Sequence, residues 1–568
     1  MERLRGFTVH TLVIALLTSC GDGASGPETP DVASVLVTPD AFTLAIGGTQ
    51  QLTAIPQDEE GHPLAGRPVT WATSAPTVAE VSATGVVSAV GPGSATIIAT
   101  SEGKSGNSSA SILVPVASVS VTPGELTFVA GLSQTLAAIP KDGGGNELTG
   151  RSISWATSAP AVAAVSTAGV VNALAPGSAT ITATSEGKNG SATIVIVGPV
   201  AFTSVAAGGA HTCALTADGA AFCWGRGESG QLGIEIPRSK CQSDLLVPCS
   251  MNPVAVRGGL AFTQLTGGGA HTCGLTSDGS AHCWGNNTSG QLGDNSTTNR
   301  YSPVPVATAL KFVSIDAGTA HTCGLTSDDA AYCWGSNSRG ALGNGTTIGS
   351  SVPVPVTGGH SFQRIAAGGF TFGQTCALTT ADEAYCWGDN ERGQLGIGSA
   401  DLNPHHTPEP VSGGLTFHAL TAGLGRHTCG LIAGGAAHCW GENSFGALGN
   451  NSTSDSPVPV PVSGGLTFAH LVAGGFIGHT CGLTGGGTAY CWGENERGAV
   501  GDRSNVDRLE PAAVDGAHSF QTLDAGFRHS CGRTTTGTVY CWGSNGAGQL
   551  GIDTDSPQNA PTKVVGQP

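Results

Sequence analysis

Fourteen of the chain's 17 cysteines fall into seven pairs spaced ten residues apart: Cys213 with Cys223, Cys273 with Cys283, Cys323 with Cys333, Cys376 with Cys386, Cys429 with Cys439, Cys481 with Cys491, and Cys531 with Cys541. Within a pair the residues alternate into a turn and back out. In Cys273-Gly-Leu-Thr-Ser-Asp278-Gly279-Ser-Ala-His-Cys283, Gly279 stands where a hairpin needs a left-handed residue. Folding at Asp278 sets Cys273 opposite Cys283, so each pair predicts a disulfide between neighbouring strands of one sheet. Structural zinc needs CxxC spacing or interleaved histidines converging on one point, which this spacing does not offer. Cys241 and Cys249 share a single insertion and predict an eighth bridge. Cys20 is left over and needs a separate explanation.

Arg3 and Arg5 precede the apolar run Leu12 to Leu17, an export signal too short to cross a bilayer. Leu17-Thr18-Ser19-Cys20 resembles the lipobox of bacterial lipoproteins. The resemblance implies a signal peptide over 1–19, cleavage before Cys20 and lipid on its thiol, with 20–31 as a tether. It also implies a bacterial envelope location, at the outer membrane or cell surface, with the membrane engaged through the lipid anchor. Disulfides form and persist in such an oxidising compartment.

Composition fits an all-β extracellular chain: 88 glycines and 31 prolines supply turns, 11% of residues are charged, and no long amphipathic helical pattern occurs. The formal net charge of -17, with 23 Lys plus Arg, disfavours a phosphate-binding surface, so nucleic acid is not an expected partner.

Internal repeats divide the chain. Val69-Thr-Trp71-Ala-Thr-Ser-Ala-Pro76 recurs as Ile153-Ser-Trp155-Ala-Thr-Ser-Ala-Pro160, and Gly91-Pro92-Gly93-Ser-Ala-Thr-Ile97 recurs as Ala175-Pro176-Gly177-Ser-Ala-Thr-Ile181. Both copies read as small β-sandwiches with one buried Trp each. They resemble bacterial Ig-like group 2 domains, over 32–114 and 115–197. Neither offers a catalytic cluster, and a spacer role is expected for both.

From 198 to 568 the period becomes 50 to 60 residues. Seven units run through His-Thr-Cys-Gly-Leu-Thr, a turn, aromatic-Cys-Trp-Gly, and Asn-x-x-Gly-Gln-Leu-Gly as in Asn287 to Gly293. Four short strands fit in each unit, and seven units close best as a propeller. The expected fold is therefore two Ig-like β-sandwiches followed by a seven-bladed β-propeller. Pro561 lies ten residues after Gly551, as Pro511 does after Gly501, so the tail Pro561 to Val565 is expected to supply the strand the first blade lacks. Gly198-Pro199-Val200 competes for that place. The Gly-Gly, His-Thr-Cys-x-Leu, Cys-Trp-Gly and Gly-Gln-Leu-Gly motifs resemble the regulator of chromosome condensation repeat family, in a cysteine-bearing bacterial version. That family's nucleotide-exchange activity would come here by fold analogy alone, and an exported acidic chain does not suit it.

All nine Trp and four of the five Tyr occupy repeat positions, and no catalytic residue, cofactor site or metal site is expected. His211, His271, His321, His427, His479 and His529 each stand two residues before a blade's first cysteine, with Gln374 in the fourth blade. They read as hydrogen-bonding groups of the blades rather than metal ligands. Loops such as Asp294 to Thr298 read as solvated turns. The blade 1 insertion is the candidate binding loop, with Arg238, Lys240, Leu245 and Leu246 held by Cys241/Cys249. The expected function is non-catalytic binding or adhesion to an extracellular protein or glycan. A hydrolase or lyase acting on extracellular polysaccharide is the alternative.

Overall fold

The structure, a computed structural model, describes residues 30–236, 238–241, 246–369, 372–475 and 478–568. The leader, Cys20 and Leu245 lie outside the described residues, as do the side chains of Arg238, Lys240 and Leu246. Among the described residues all regular structure is β. The chain divides into two compact units, one ending at Pro115 and one beginning at Val116.

The first unit is a sandwich. Ala41–Ala45, Lys104–Leu113, Gly93–Ser101 and Thr70–Thr73 form one sheet, and Thr49–Gln51, Val86–Ala89 and Ala79–Val81 a second. Alternation sets the buried face: Ala95, Ile97 and Ala99 point into the core while Thr96, Ile98 and Thr100 point outward. The second sandwich repeats this strand order. One expectation is corrected in both copies, because Trp71 and Trp155 are half-buried rather than buried. Each flanks its core instead of filling it.

The second sandwich also departs from the expected spacer. Phe128 on its strand Glu125–Val129 sits opposite Val254 on Leu246–Ala255, the outer strand of the first blade. Ile234 and Ile236 from the blade 1 insertion share a core with Leu126, Phe128 and Ile194. Burying two such side chains is worth roughly 3 to 6 kcal/mol as an upper bound. Gln134 Nε2 donates to Ser250 Oγ at 2.9 Å and also to Asn252 Oδ1. Cys241 and Cys249, with Cα atoms 6.3 Å apart, are buried beside Ser133, Gln134 and Thr135. The described part of the insertion therefore forms a joint between the sandwich and the propeller.

The seven blades are four-stranded antiparallel sheets whose strands follow sequence order. In the second, Phe262–Gly267, His271–Thr276, Ala281–Gly285 and Arg300–Pro305 run from the channel outward. The seven hairpin pairs are all disulfide-bonded, with Cα–Cα of 4.0 to 4.1 Å, and each sits at a directly opposed register, as Cys273 does to Cys283. The Gly after each Trp is required by geometry. Gly285 has φ +104°, and a Cβ there would lie 2.7 Å from Ala270 O.

The expected closing strand is also corrected. Gln558–Lys563 pairs with Val539–Gly543 inside the seventh blade, while the first blade obtains its outer strand from its own insertion. Among the described residues, no strand is exchanged across the seam. The tail instead accepts a hydrogen bond from Val200 N at Gly566 O, 2.8 Å, and buries Val564 against Trp224.

Candidate functional site

The repeat histidines form a ring of inter-blade hydrogen bonds. Each Nε2 meets the hydroxyl that follows the first residue of the next blade's second strand: His211 to Thr272, His271 to Thr322, His321 to Thr375, His427 to Thr480, His479 to Ser530, and His529 to Thr212, all at 2.8 to 2.9 Å. Gln374 completes the ring through Thr428 at 3.0 Å. Each hydroxyl also lies 2.8 to 3.0 Å from a backbone carbonyl of the preceding blade, as Thr272 Oγ1 does from Gln231 O. Six of the seven indoles donate to those same carbonyls.

This geometry fixes the tautomer. A hydroxyl has one proton, and the carbonyl takes it, so the oxygen must accept from imidazole Nε2–H. The histidines are neutral and fully buried, and desolvation pushes their pKa values down to about 3 or 4. They do not converge on one point. The one His/Cys/Asp/Glu group close enough to hold a metal among the described residues is Asp58, Glu60 and His62, in the first sandwich. In the propeller loops, Asn287 Oδ1 accepts from Leu292 N, and its Nδ2 donates to Asp294 Oδ1. The side chains of this loop thus serve the turn.

Removing one hydroxyl from the ring should show its worth. Thr272→Val leaves His211 Nε2–H without a buried partner and Gln231 O with Trp284 Nε1 alone, and should cost about 2 to 4 kcal/mol. His271→Gln, copying the fourth blade, should cost under about 1.5 kcal/mol. Denaturant titration of the two variants checks the difference.

On the first strands of their blades, Asp316 and Asp524 are half-buried. Asp524 Oδ2 accepts from Ala207 N at 2.8 Å, and Asp316 Oδ2 from Ala367 N at 2.9 Å, each tying its strand to the next blade. Burial, with a smaller contribution from Asp316, raises Asp524 to about 7. All four carboxylate oxygens accept backbone amides, so both residues act as staples.

The seven blades differ most at one face, where the first strand turns to the second and the third leaves Trp-Gly. In the first three blades the turn residues are small: Gly209-Ala210, Gly269-Ala270 and Thr319-Ala320. In the others they include Phe372, Leu424, Arg426, Phe527 and Arg528. Leu424 and Phe527, from different blades, both pack against Gly475, where a Cβ would lie 2.5 Å from one and 2.8 Å from the other. On the same face, Asp389, Glu442 and Glu494 occupy the same position, directly after Trp-Gly, in three consecutive blades. Burial raises the pKa of each, opposed by neighbouring arginines. Arg426 lies 3.5 Å from Glu391, and Arg528 lies 4.0 Å from Glu494 and 3.8 Å from Glu496. Arg339 stacks over Phe372 at 5.0 Å.

This rim was not selected from the sequence. The signal was available in the residues just before each His-Thr-Cys, where Gly-Gly-Ala-His in the second blade becomes Gly-Leu-Gly-Arg-His in the fifth and Gly-Phe-Arg-His in the seventh. Motif reading favours what repeats, and these residues do not.

The fold and the clamp ring together define a disulfide-stapled propeller protein carrying bacterial Ig-like domains. The bacterial Ig-like (group 2) family model matches residues 31–114 and 115–196. The chain belongs to the regulator of chromosome condensation (RCC1) repeat family, whose model matches in six stretches from residue 218 to 568, with a second RCC1 repeat model matching from 202 to 549. It is 30% identical over 315 residues to the ultraviolet-B receptor UVR8 of Arabidopsis thaliana, covering 55% of this chain and 57% of UVR8. Against the human E3 ubiquitin-protein ligase HERC2 it is 28% identical over 322 residues, 55% of this chain and 5% of HERC2. The chain thus spans little more than half of one relative and a small part of the other. Human WBSCR16 shares the fold at TM-score 0.52 and 22% identity, covering 62% of this chain and 92% of that one. Yeast RCC1, in a structure with Kap60 bound, does so at TM-score 0.50 and 22% identity, covering 57% and 78%.

Proposed function

We propose that the protein is a non-catalytic binding protein of the bacterial envelope. It is anchored by lipid at Cys20 and uses the propeller rim to contact an extracellular protein or glycan. The observation that carries this reading is the one-sided loss of symmetry. In a closed ring of similar blades, one face of blades four to seven concentrates aromatic, arginine and carboxylate side chains that the clamp between blades does not use. Paired charges beside aromatic rings favour recognition over chemistry. A propeller of the same fold with a protein bound, yeast RCC1, supports a protein partner. The Cys241/Cys249 insertion remains a second candidate contact.

Two experiments test the reading. Cys20→Ala should move the protein from the membrane pellet to the soluble fraction, since the apolar run before Cys20 is too short to anchor it; an unchanged pellet would remove the lipid anchor. Proximity labelling from the propeller on intact cells should enrich an envelope protein or glycan, and Arg392→Glu on the rim, beside Glu442 and 3.4 Å from Asp455, should abolish that enrichment. No enrichment with the unaltered protein would sink the binding reading.

A further inference from the structure

Between the fifth and sixth blades the rim opens into a groove of about 460 Å³ lined by Phe445, Glu494, Glu496, Asn505, Val506 and Asp507. Three of these six residues are carboxylates and one is aromatic. Glu494 is 2% exposed, yet its Oε1 has no hydrogen-bond partner, and Arg528 Nε approaches it only to 4.0 Å. Asp507 Oδ1 caps Asn495 N at 2.8 Å, and Asn505 Nδ2 donates to Glu496 O at 2.8 Å, so the walls are held by the blade itself. Glu496 is two-thirds exposed at the lip, and Phe445 is half-buried. The formal charges of the three carboxylates and Arg528 sum to about -2. A buried carboxylate oxygen without a hydrogen bond is costly, and it is satisfied most strongly by a charged donor.

We propose that this groove takes a guanidinium or ammonium side chain, an arginine or lysine on an extended segment of the rim's protein partner. Its cation pairs with Glu496 at the lip and with the Glu494 carboxylate behind it, and its stem lies against Phe445 and Val506. Glu496 and Asp507 supply charge, and the Phe445 ring supplies cation–π attraction. An arginine satisfies the site better than a metal ion, because Asp507 and Asn505 are already committed to backbone partners and the groove is far larger than one ion needs. The inference rests on the reading of the rim as a contact face and adds the chemistry of what enters it.

The test uses the full chain and a fluorescein-labelled ten-residue peptide of alternating Arg and Gly, followed by anisotropy. Saturable binding should weaken about 5-fold or more in Glu496→Gln and about 2- to 5-fold in Phe445→Leu, which keeps apolar volume but removes the ring. Glu510→Gln, the same charge change on the outer strand of the sixth blade, should stay within about 2-fold. A citrulline peptide of the same shape should not bind. Equal losses in Glu496→Gln and Glu510→Gln would show non-specific attraction to an acidic protein and overturn the inference. So would displacement of the peptide by calcium at constant ionic strength with Phe445→Leu silent, which marks a metal site. Free argininamide binding as tightly as the peptide would overturn the assignment to a protein segment. A labelling partner that needs Arg392 but ignores Glu496→Gln would sink this inference while the rim reading stands.

Discussion

Taken from pH 7 to pH 5, the propeller is expected to lose on the order of 10 kcal/mol of folding stability, most of it through six histidines. Each is neutral in the folded ring with a pKa pushed down to about 3 or 4, against 6.5 for an ordinary imidazole. A depressed folded pKa means that the unfolded chain takes up protons first. Stability is therefore full above about pH 7 and falls as pH drops through 6.5 toward 3, by about 2 kcal/mol per histidine at pH 5. Asp524 acts in the opposite sense. Its folded pKa is raised to about 7, so the folded state gains a proton between pH 7 and 4, offsetting at most about 2 kcal/mol. Asp316 shifts in the same direction and adds to that offset. Ten kilocalories compares with the whole stability of many domains, so near-UV circular dichroism of the buried Trp ring should collapse cooperatively between about pH 6 and 4. Replacing His271 and His479 by Gln, which the fourth blade already tolerates, should move the midpoint toward lower pH. An unshifted midpoint would mean that acid acts elsewhere.

The ring also shows where the sequence could be read and where it could not. A hairpin disulfide is a local object: ten residues, one turn and two opposed positions, so Cys273 and Cys283 could be paired from spacing alone. The histidines could be assigned to the blades because they recur, but their partners could not be named. The acceptor for His529 is Thr212, 317 residues away, and the carbonyl that fixes the hydroxyl belongs to Gln549. The seam failed for a related reason. A spacing match between Pro561 and Pro511 shows that the tail repeats a strand, not which blade that strand joins. Ile234 and Ile236 lie in an irregular insertion with no period, so nothing local revealed that they bury against Leu126 and Phe128 in the second sandwich. The rim escaped because its residues are non-equivalent between blades, and only folding brings Leu424 and Phe527 against Gly475.

Unfolded in guanidinium with a thiol reductant and then diluted into reductant, the propeller should fail to refold. Diluted from guanidinium without reductant, it should recover its native Trp spectrum. Each hairpin bridge closes a loop of ten residues, worth about 2 to 3 kcal/mol of unfolded-state entropy, so seven sum to roughly 15 to 20 kcal/mol. The sum exceeds the stability of most domains. The folded protein should nonetheless resist the same reductant without guanidinium. The fourteen hairpin sulfurs belong to residues that are fully buried, so a thiolate has no line of attack until a blade opens. Mass labelling of free thiols separates the two regimes: no labelled cysteine after hours in reductant at pH 8, and sixteen once guanidinium is added. Ready labelling in the folded state would show that the blades open locally and that the bridges are not what holds them. A chain built this way can mature only where thiols are oxidised. This ties the seven pairs physically to the export proposed from Cys20, because a reducing compartment would leave the clamp ring with nothing to clamp.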